Sequence, residues 1–181
     1  MTMDHRNRLP AYSGCVGSLP DAELVVAFLN TLDEEDHTDV LDDPALWLAW
    51  LTEHDGPPDT GAADAAVADP ATLDAEFARS HRDALRTAVT DRAGELPAAA
   101  VRVRLDAGTP VLDAADPVGR VLAAAVRLAV AGEWDRVKIC PADDCRWAFY
   151  DRSRNHSRTW CSMEMCGNRA KARQWRQRRR R

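Results

Sequence analysis

The sequence predicts an α+β protein. A mainly helical N-terminal domain with a short β-hairpin leads into a small C-terminal four-cysteine zinc finger, and a basic helix follows. Three observations predict this. Apolar residues recur at helical spacing in four stretches between residues 20 and 132. One stretch, Val101 to Leu105, alternates at period two. Four of the five cysteines fall in two close pairs after residue 139.

Taken in order, residues 1–19 read as a lead-in broken by Pro10, Gly14 and Gly17, with Cys15 a spare thiol. Asp21 to Asp33 reads as a helix with Leu24, Val25, Phe28, Leu29 and Leu32 on one face, and Pro20 suits its first turn. The acidic run Asp33–Asp36 reads as a solvated loop. Asp43-Pro44 opens a second helix with Leu46, Trp47, Trp50 and Leu51 inward, ended by Gly56-Pro57-Pro58. Residues 56–69 have linker composition. Asp69-Pro70 opens a third helix to about Arg92, its stripe formed by Leu73, Phe77, His81, Leu85 and Val89. His81 in that stripe reads as a half-buried packing residue. Val101–Leu112 reads as a hairpin turning at Asp106 to Pro110. Asp116-Pro117 opens a fourth helix, with Val118, Val121, Leu122, Ala125, Val126 and Ala129 inward and Gly132 closing it.

The net charge of −5 over 181 residues conceals a division. Residues 134–181 carry 14 Lys+Arg against 5 Asp+Glu, a net +9; residues 1–133 carry 10 against 24, a net −14. The tail also holds Trp134, Trp147, Trp160 and Trp175, four of the six tryptophans. These shifts divide the chain into residues 1–19, an α+β domain over 20–132, a finger with its helix over 133–177 and a basic tail over 178–181. The 45% hydrophobic share excludes fibrous and wholly disordered classes. No apolar run reaches the ~18 residues of a membrane span, and Met1–Pro10 lacks the apolar core of a secretory signal. The expected location is therefore cytoplasmic, where cysteines serve as thiols or metal ligands.

The tail cysteines follow the pattern C-x4-C-x15-C-x4-C at Cys140, Cys145, Cys161 and Cys166. Zinc takes four ligands in a tetrahedron and favours thiolates, and two close pairs separated by a loop let a short chain surround it. A charged segment of this size buries too little apolar area to fold unaided. A structural zinc contributes ~10–16 kcal/mol of apparent folding free energy. Four cysteine ligands leave no open position for a substrate water, so the expected Zn2+ is single and structural.

At these residues the chain resembles a known family. Trp147-Ala-Phe-Tyr-Asp-Arg-Ser-Arg-Asn155 and Trp160-Cys-Ser-Met-Glu-Met-Cys-Gly-Asn-Arg-Ala-Lys-Ala-Arg173 resemble the CGNR-type zinc finger, named for the run matched by Cys166, Gly167, Asn168 and Arg169. Phe28-Leu29-Asn30-Thr31-Leu32-Asp33 is similar to the opening motif of the ABATE domain that accompanies such fingers. The resemblance implies zinc on the four cysteines, nucleic-acid binding by the finger, and a bacterial, stress-responsive regulator of transcription.

The candidate nucleic-acid contacts are Arg152, Arg154, Arg158, Asn168, Arg169, Lys171, Arg173 and Arg176. On a helix from Ser162 onward, Arg169, Arg173, Arg176 and Arg180 share one face, and Lys171, Trp175 and Arg178 share another. Arginine suits bidentate contact with phosphate or guanine. Asn168 and Arg169 have two readings: they contact bases, or they orient the adjacent ligand Cys166. Trp147, Phe149, Tyr150 and Trp160 read as the finger's own core and its contact with the body.

The expected partner is double-stranded DNA, with a small-molecule or protein effector at the N-terminal domain and a homodimer as further partners. The alternative is an adaptor gripping an acidic protein surface or RNA. Residues 1–133 contain no G-x-S-x-G, phosphate loop, H-E-x-x-H or glycine-rich fingerprint, so no enzyme is expected.

Overall fold

The computed structural model describes residues 19–54, 74–114 and 116–179. Cys15, the linker, Leu73 and the Asp69-Pro70 pair lie outside the described residues. The architecture is α+β, with five α-helices and three two-stranded antiparallel sheets among those residues.

Helix α1 (Leu19–Leu29) buries Ala22, Val25, Phe28 and Leu29. It stops short of the expected Asp33 because Thr31 turns its hydroxyl back onto the Phe28 carbonyl at 2.8 Å, and the Thr31 carbonyl accepts the Val40 N–H at 2.8 Å. The chain then forms β1 (Leu32–Asp33) paired with β2 (Thr38–Asp39). The acidic run thus becomes the tip of a hairpin rather than a free loop. Asp33 Oδ1 accepts the Glu35 and Asp36 N–H groups across it.

Asp39 caps a 3-10 turn over Val40–Asp42, and Asp43 then caps α2 (Pro44–His54), accepting the Ala45 N–H at 2.8 Å. Trp47 and Leu51 are buried as expected, and Trp50 stacks on Trp47 and His54. Leu46 departs from the expected face and is 54% exposed. Helix α3 (Ala75–Asp91) starts at the Asp74 cap and ends where Arg92 turns left-handed, φ 54°. Its inner face is not purely apolar: Leu85 and Val89 are buried, but so are His81, Arg82 and Arg86. His81 is fully buried rather than half-buried. Its two ring nitrogens face the carbonyls of Phe77 and Pro97, at 2.7 and 3.2 Å, and so hold the segment after α3 against the helix.

The hairpin forms as expected, β3 (Arg102–Asp106) with β4 (Thr109–Asp113). Its turn is tighter than expected, only Ala107 and Gly108, both at positive φ. Helix α4 (Pro117–Val130) is capped by Asp116 and closed by Gly132 at φ 73°. Gly119 faces the root of the hairpin, where a Cβ would lie 2.7 Å from the Ala114 Cβ. Val126 and Ala129, expected inward, are exposed, because the turns of α4 that carry Val121, Leu122, Ala125 and Leu128 already fill the core.

Helix α1 packs on α4, and the finger strands β5 (Val137–Ile139) and β6 (Ala148–Tyr150) lie on α3 and α1. Val137 and Ala148 belong to the same buried cluster as Phe28, Leu85 and Val121. The main core therefore continues into the finger.

The buried Arg82 donates to Asp39 at 2.6 Å, beside a second contact from Arg79. Burial pushes the Asp39 carboxyl up, but Arg82, the Leu41 N–H and Arg79 outweigh it and hold it below the ordinary carboxylate range. Asp39→Asn is expected to take from Arg82 its buried counter-charge, leaving only the exposed Asp83 carboxylate on its Nε at 3.0 Å, and to cost ~3 kcal/mol in urea unfolding at pH 7. The wild-type pair stabilises above the unfolded pKa of about 3.9 and loses that contribution as pH falls through the folded value. The gap between the two proteins should therefore close in acid.

Candidate metal centre

The first cysteine pair sits on a knuckle between two strands. β5 and β6 pair Val137 with Tyr150, Lys138 with Phe149 and Ile139 with Ala148. Beyond that register the Cys140 N–H donates to the Trp147 carbonyl at 2.9 Å. The Ala142 carbonyl accepts from Cys145 and Arg146, and Arg146 turns left-handed at φ 53°. Both cysteines thereby point to one side of the turn. The second pair lies at a helix entrance. Ser162 caps a π-turn over Met163–Gly167, accepting the Met165 N–H, and α5 (Asn168–Arg178) follows without a break. The wide turn places Cys166 beside Cys161, their sulfurs 3.6 Å apart.

The four Sγ atoms lie within 4.8 Å of one another, and Cys145 and Cys161 are 3.5 Å apart. A tetrahedron with Zn–S bonds of about 2.3 Å has edges of about 3.8 Å, so the residues fit one zinc ion. Cys140, Cys145 and Cys166 are buried and Cys161 is half-buried, packed with Ala142, Trp147 and Trp160. Burial pushes the Cys145 thiol up to about 12 and raises Cys161 as well. Burial also acts on Cys166, but the Arg169 guanidinium outweighs it and lowers that thiol. Zinc bound here would take four thiolates and crosslink the β5–β6 knuckle to the root of α5.

The CGNR run wraps this site. Cys166 is the ligand. Gly167 lies under Trp160 and the Met163 thioether, where a Cβ would have little room. Asn168 Nδ2 donates to the Glu164 carbonyl at 3.1 Å and ties the π-turn to the helix. Arg169 Nη2 reaches Cys166 Sγ at 3.2 Å, while its other amine faces Asp144 at 3.3 Å and Glu35 at 3.6 Å.

The expected nucleic-acid residues divide by position. Arg158 is held within the finger, donating to the carbonyls of Trp160 and Cys161 with its guanidinium over Phe149. Arg169 lies against the Cys166 sulfur. Arg152 meets Glu23 of α1 at 3.0 Å and Arg173 meets Asp144 at 3.6 Å, both partly exposed. Arg154, Asn168, Lys171 and Arg176 are exposed. The face of α5 carrying Arg169 and Arg173 turns towards acidic groups. The face carrying Lys171, Trp175 and Arg178 turns to solvent, with Arg179 stacked 4.3 Å from the Trp175 ring.

Three residues outside the sequence reading build the site's support. Asp151 is fully buried and accepts from Lys138 Nζ and from the N–H groups of Ser153 and Arg158, ordering the loop between the cysteine pairs. Asn30 donates to the Ala148 carbonyl at 3.0 Å and accepts the Ala148 N–H at 2.7 Å. Arg86 bridges the carbonyls of Leu29 and Arg146 and the carboxylate of Glu34. Asn30 was visible only as part of a motif. Asp151 likewise stood only within the finger motif, and Arg86 gave no signal, since a charged residue in a helical stretch reads as exposed.

A family model described as CGNR zinc finger matches residues 136–179. The ABATE model, described as "Putative stress-induced transcription regulator", matches residues 22–146. The chain belongs to the ABATE family. Its ABATE region runs past Cys140 and Cys145, consistent with the shared core. No curated protein matches the chain. No helix among the described residues is long and apolar enough to cross a membrane.

Two outcomes are expected. The purified chain should hold one zinc by elemental analysis, and Cys161→Ser should lose it. Arg169→Ala should weaken zinc at least about tenfold in competition with a chelating dye, because ligand-orienting partners contribute on that scale. Arg176→Ala should leave zinc affinity unchanged.

Proposed function

We propose that this ABATE protein is a stress-responsive, DNA-binding regulator of transcription. The zinc-folded module carries the DNA contact and the N-terminal domain controls it. One observation carries the reading: α5 leaves the zinc site as an exposed helix with no acidic residue in Asn168–Arg178. At 1.5 Å per residue it is about 16 Å long, enough to lie in a major groove or along a phosphate ridge. Lys171, Arg176, Arg178 and Arg179 supply cations on it, and Arg154 adds another from the loop between the cysteine pairs. Arg152 and Arg173 join when phosphate replaces Glu23 and Asp144 as their partners. Arg158 and Arg169 act indirectly, by holding the finger's shape, and Asn168 sits at the helix root.

The role of the N-terminal domain follows from charge. Residues 1–133 carry a net −14 and residues 134–181 a net +9, and Glu35 reaches Arg169 at the root of α5. A signal that moves the β1–β2 hairpin would change how α5 is presented. The reading assigns no catalytic step to the chain.

The test is binding of the zinc-loaded chain to a random-sequence duplex across a salt series. Five phosphate contacts give a log–log slope of about −4 to −5. Cys161→Ser should abolish binding. A flat salt response with the finger folded would sink the DNA reading, and nuclease-resistant capture of an acidic protein would point to an adaptor instead.

A further inference from the structure

The hairpin β3–β4 turns one edge to α4, and its other edge meets no further strand among the described residues. Ala107 and Gly108, at φ 46° and 85°, form a two-residue turn of the type that closes tight hairpins. Such a turn makes Asp106 and Thr109 a hydrogen-bonded pair. Hydrogen-bonded and non-hydrogen-bonded pairs then alternate along the ladder. Leu105–Pro110 and Val103–Leu112 are therefore non-hydrogen-bonded pairs, whose N–H and C=O groups point away from the partner strand. Pro110 fits this phase, since it needs no donor towards β3. On the β4 edge the outward Leu112 carbonyl accepts from Arg127 of α4 at 3.2 Å. On the β3 edge the outward residues are Val103 and Leu105. Among the described residues β3 pairs only with β4.

This edge carries no proline or bulge, and the two residues whose backbone groups point outward are apolar. Val103 is 71% exposed and Leu105 70%. We infer that β3 is a self-pairing edge, and that two copies of the chain join antiparallel through β3 into one four-stranded sheet.

The register follows from the ladder and the charges. A two-fold axis at Arg104 sets Val103 opposite the partner's Leu105, both with outward backbone groups, so each such pair exchanges two hydrogen bonds. It also sets Arg102 opposite the partner's Asp106, twice, against one meeting of Arg104 with its own copy. An axis at Val103 would instead set Arg102 opposite the partner's Arg104, twice, with no compensating pair. An axis at Leu105 would run the ladder into the turn at Ala107. Opposite charges directly across a ladder attract and like charges repel by similar amounts, so the Arg104 register is selected.

Analytical ultracentrifugation of the full zinc-loaded chain tests this. The wild type should sediment as a reversible dimer. Leu105→Pro removes an outward donor that β4 does not use, so it should leave circular dichroism and zinc content unchanged while weakening the dimer at least tenfold. If that variant does not fold, Leu105→Lys, which keeps every backbone donor, serves instead. Asp106→Arg should weaken the dimer, and adding Arg102→Asp to the same chain should restore it. A wild type that stays monomeric up to millimolar concentration overturns the inference. So does a dimer that both Leu105 variants leave intact.

Discussion

The position of the zinc site depends on one pair of hydrogen bonds. Asn30, just past the end of α1, uses both ends of its amide on the backbone of Ala148, as a neighbouring strand would. Ala148 sits in β6, and β6 ends the knuckle that holds Cys140 and Cys145. Arg86 reinforces the junction from α3, reaching the Arg146 carbonyl one residue past a zinc ligand. A shift of α1 against α3 would therefore move the metal knuckle with them. The finger is braced by buried polar groups whose exact partners matter, because an unpaired buried donor costs far more than a paired one contributes.

The two family motifs acquire physical meaning from this junction. In Phe28-Leu29-Asn30-Thr31-Leu32-Asp33 the first two residues are core, Asn30 grips the finger, and Thr31 closes the helix and receives Arg82 at 3.3 Å. Asp33 then shapes the hairpin tip that presents Glu34 to Arg86 and Glu35 to Arg169. In the second motif, Gly167, Asn168 and Arg169 serve the zinc turn before they can serve any partner. Both motifs therefore belong to one structural joint between body and finger. The acidic hairpin and the root of the basic helix meet across it, through Glu35 and Arg169.

Charge works differently at the two ends of α5. Near the zinc, Arg169 sits among a thiolate and two carboxylates, where its guanidinium is spent on geometry. Two turns further on, Arg176, Arg178 and Arg179 face solvent, where charge acts at a distance and is screened by salt. A single arginine-rich helix thus combines a metal-supporting root with a free cationic end.

The sequence by itself determined what depends on local pattern. Helix caps at Asp43 and Asp116, the buried centres of the stripes (Leu85 and Val89 of α3, Val118, Val121, Leu122 and Ala125 of α4), the hairpin and the four zinc ligands follow from spacing and residue chemistry between near neighbours. The tertiary structure decided what depends on groups far apart in the chain. Arg82 and Arg86, on which the sequence carried no reading, are buried because Asp39, Glu34 and two distant carbonyls meet them there. Leu46 and Phe77 fit their stripes but lie at the edges of the core, where the described residues cover them only in part. Period alone fixes which residues share a face. It cannot fix how wide the partner surface is, or which charge across it finds a counter-charge.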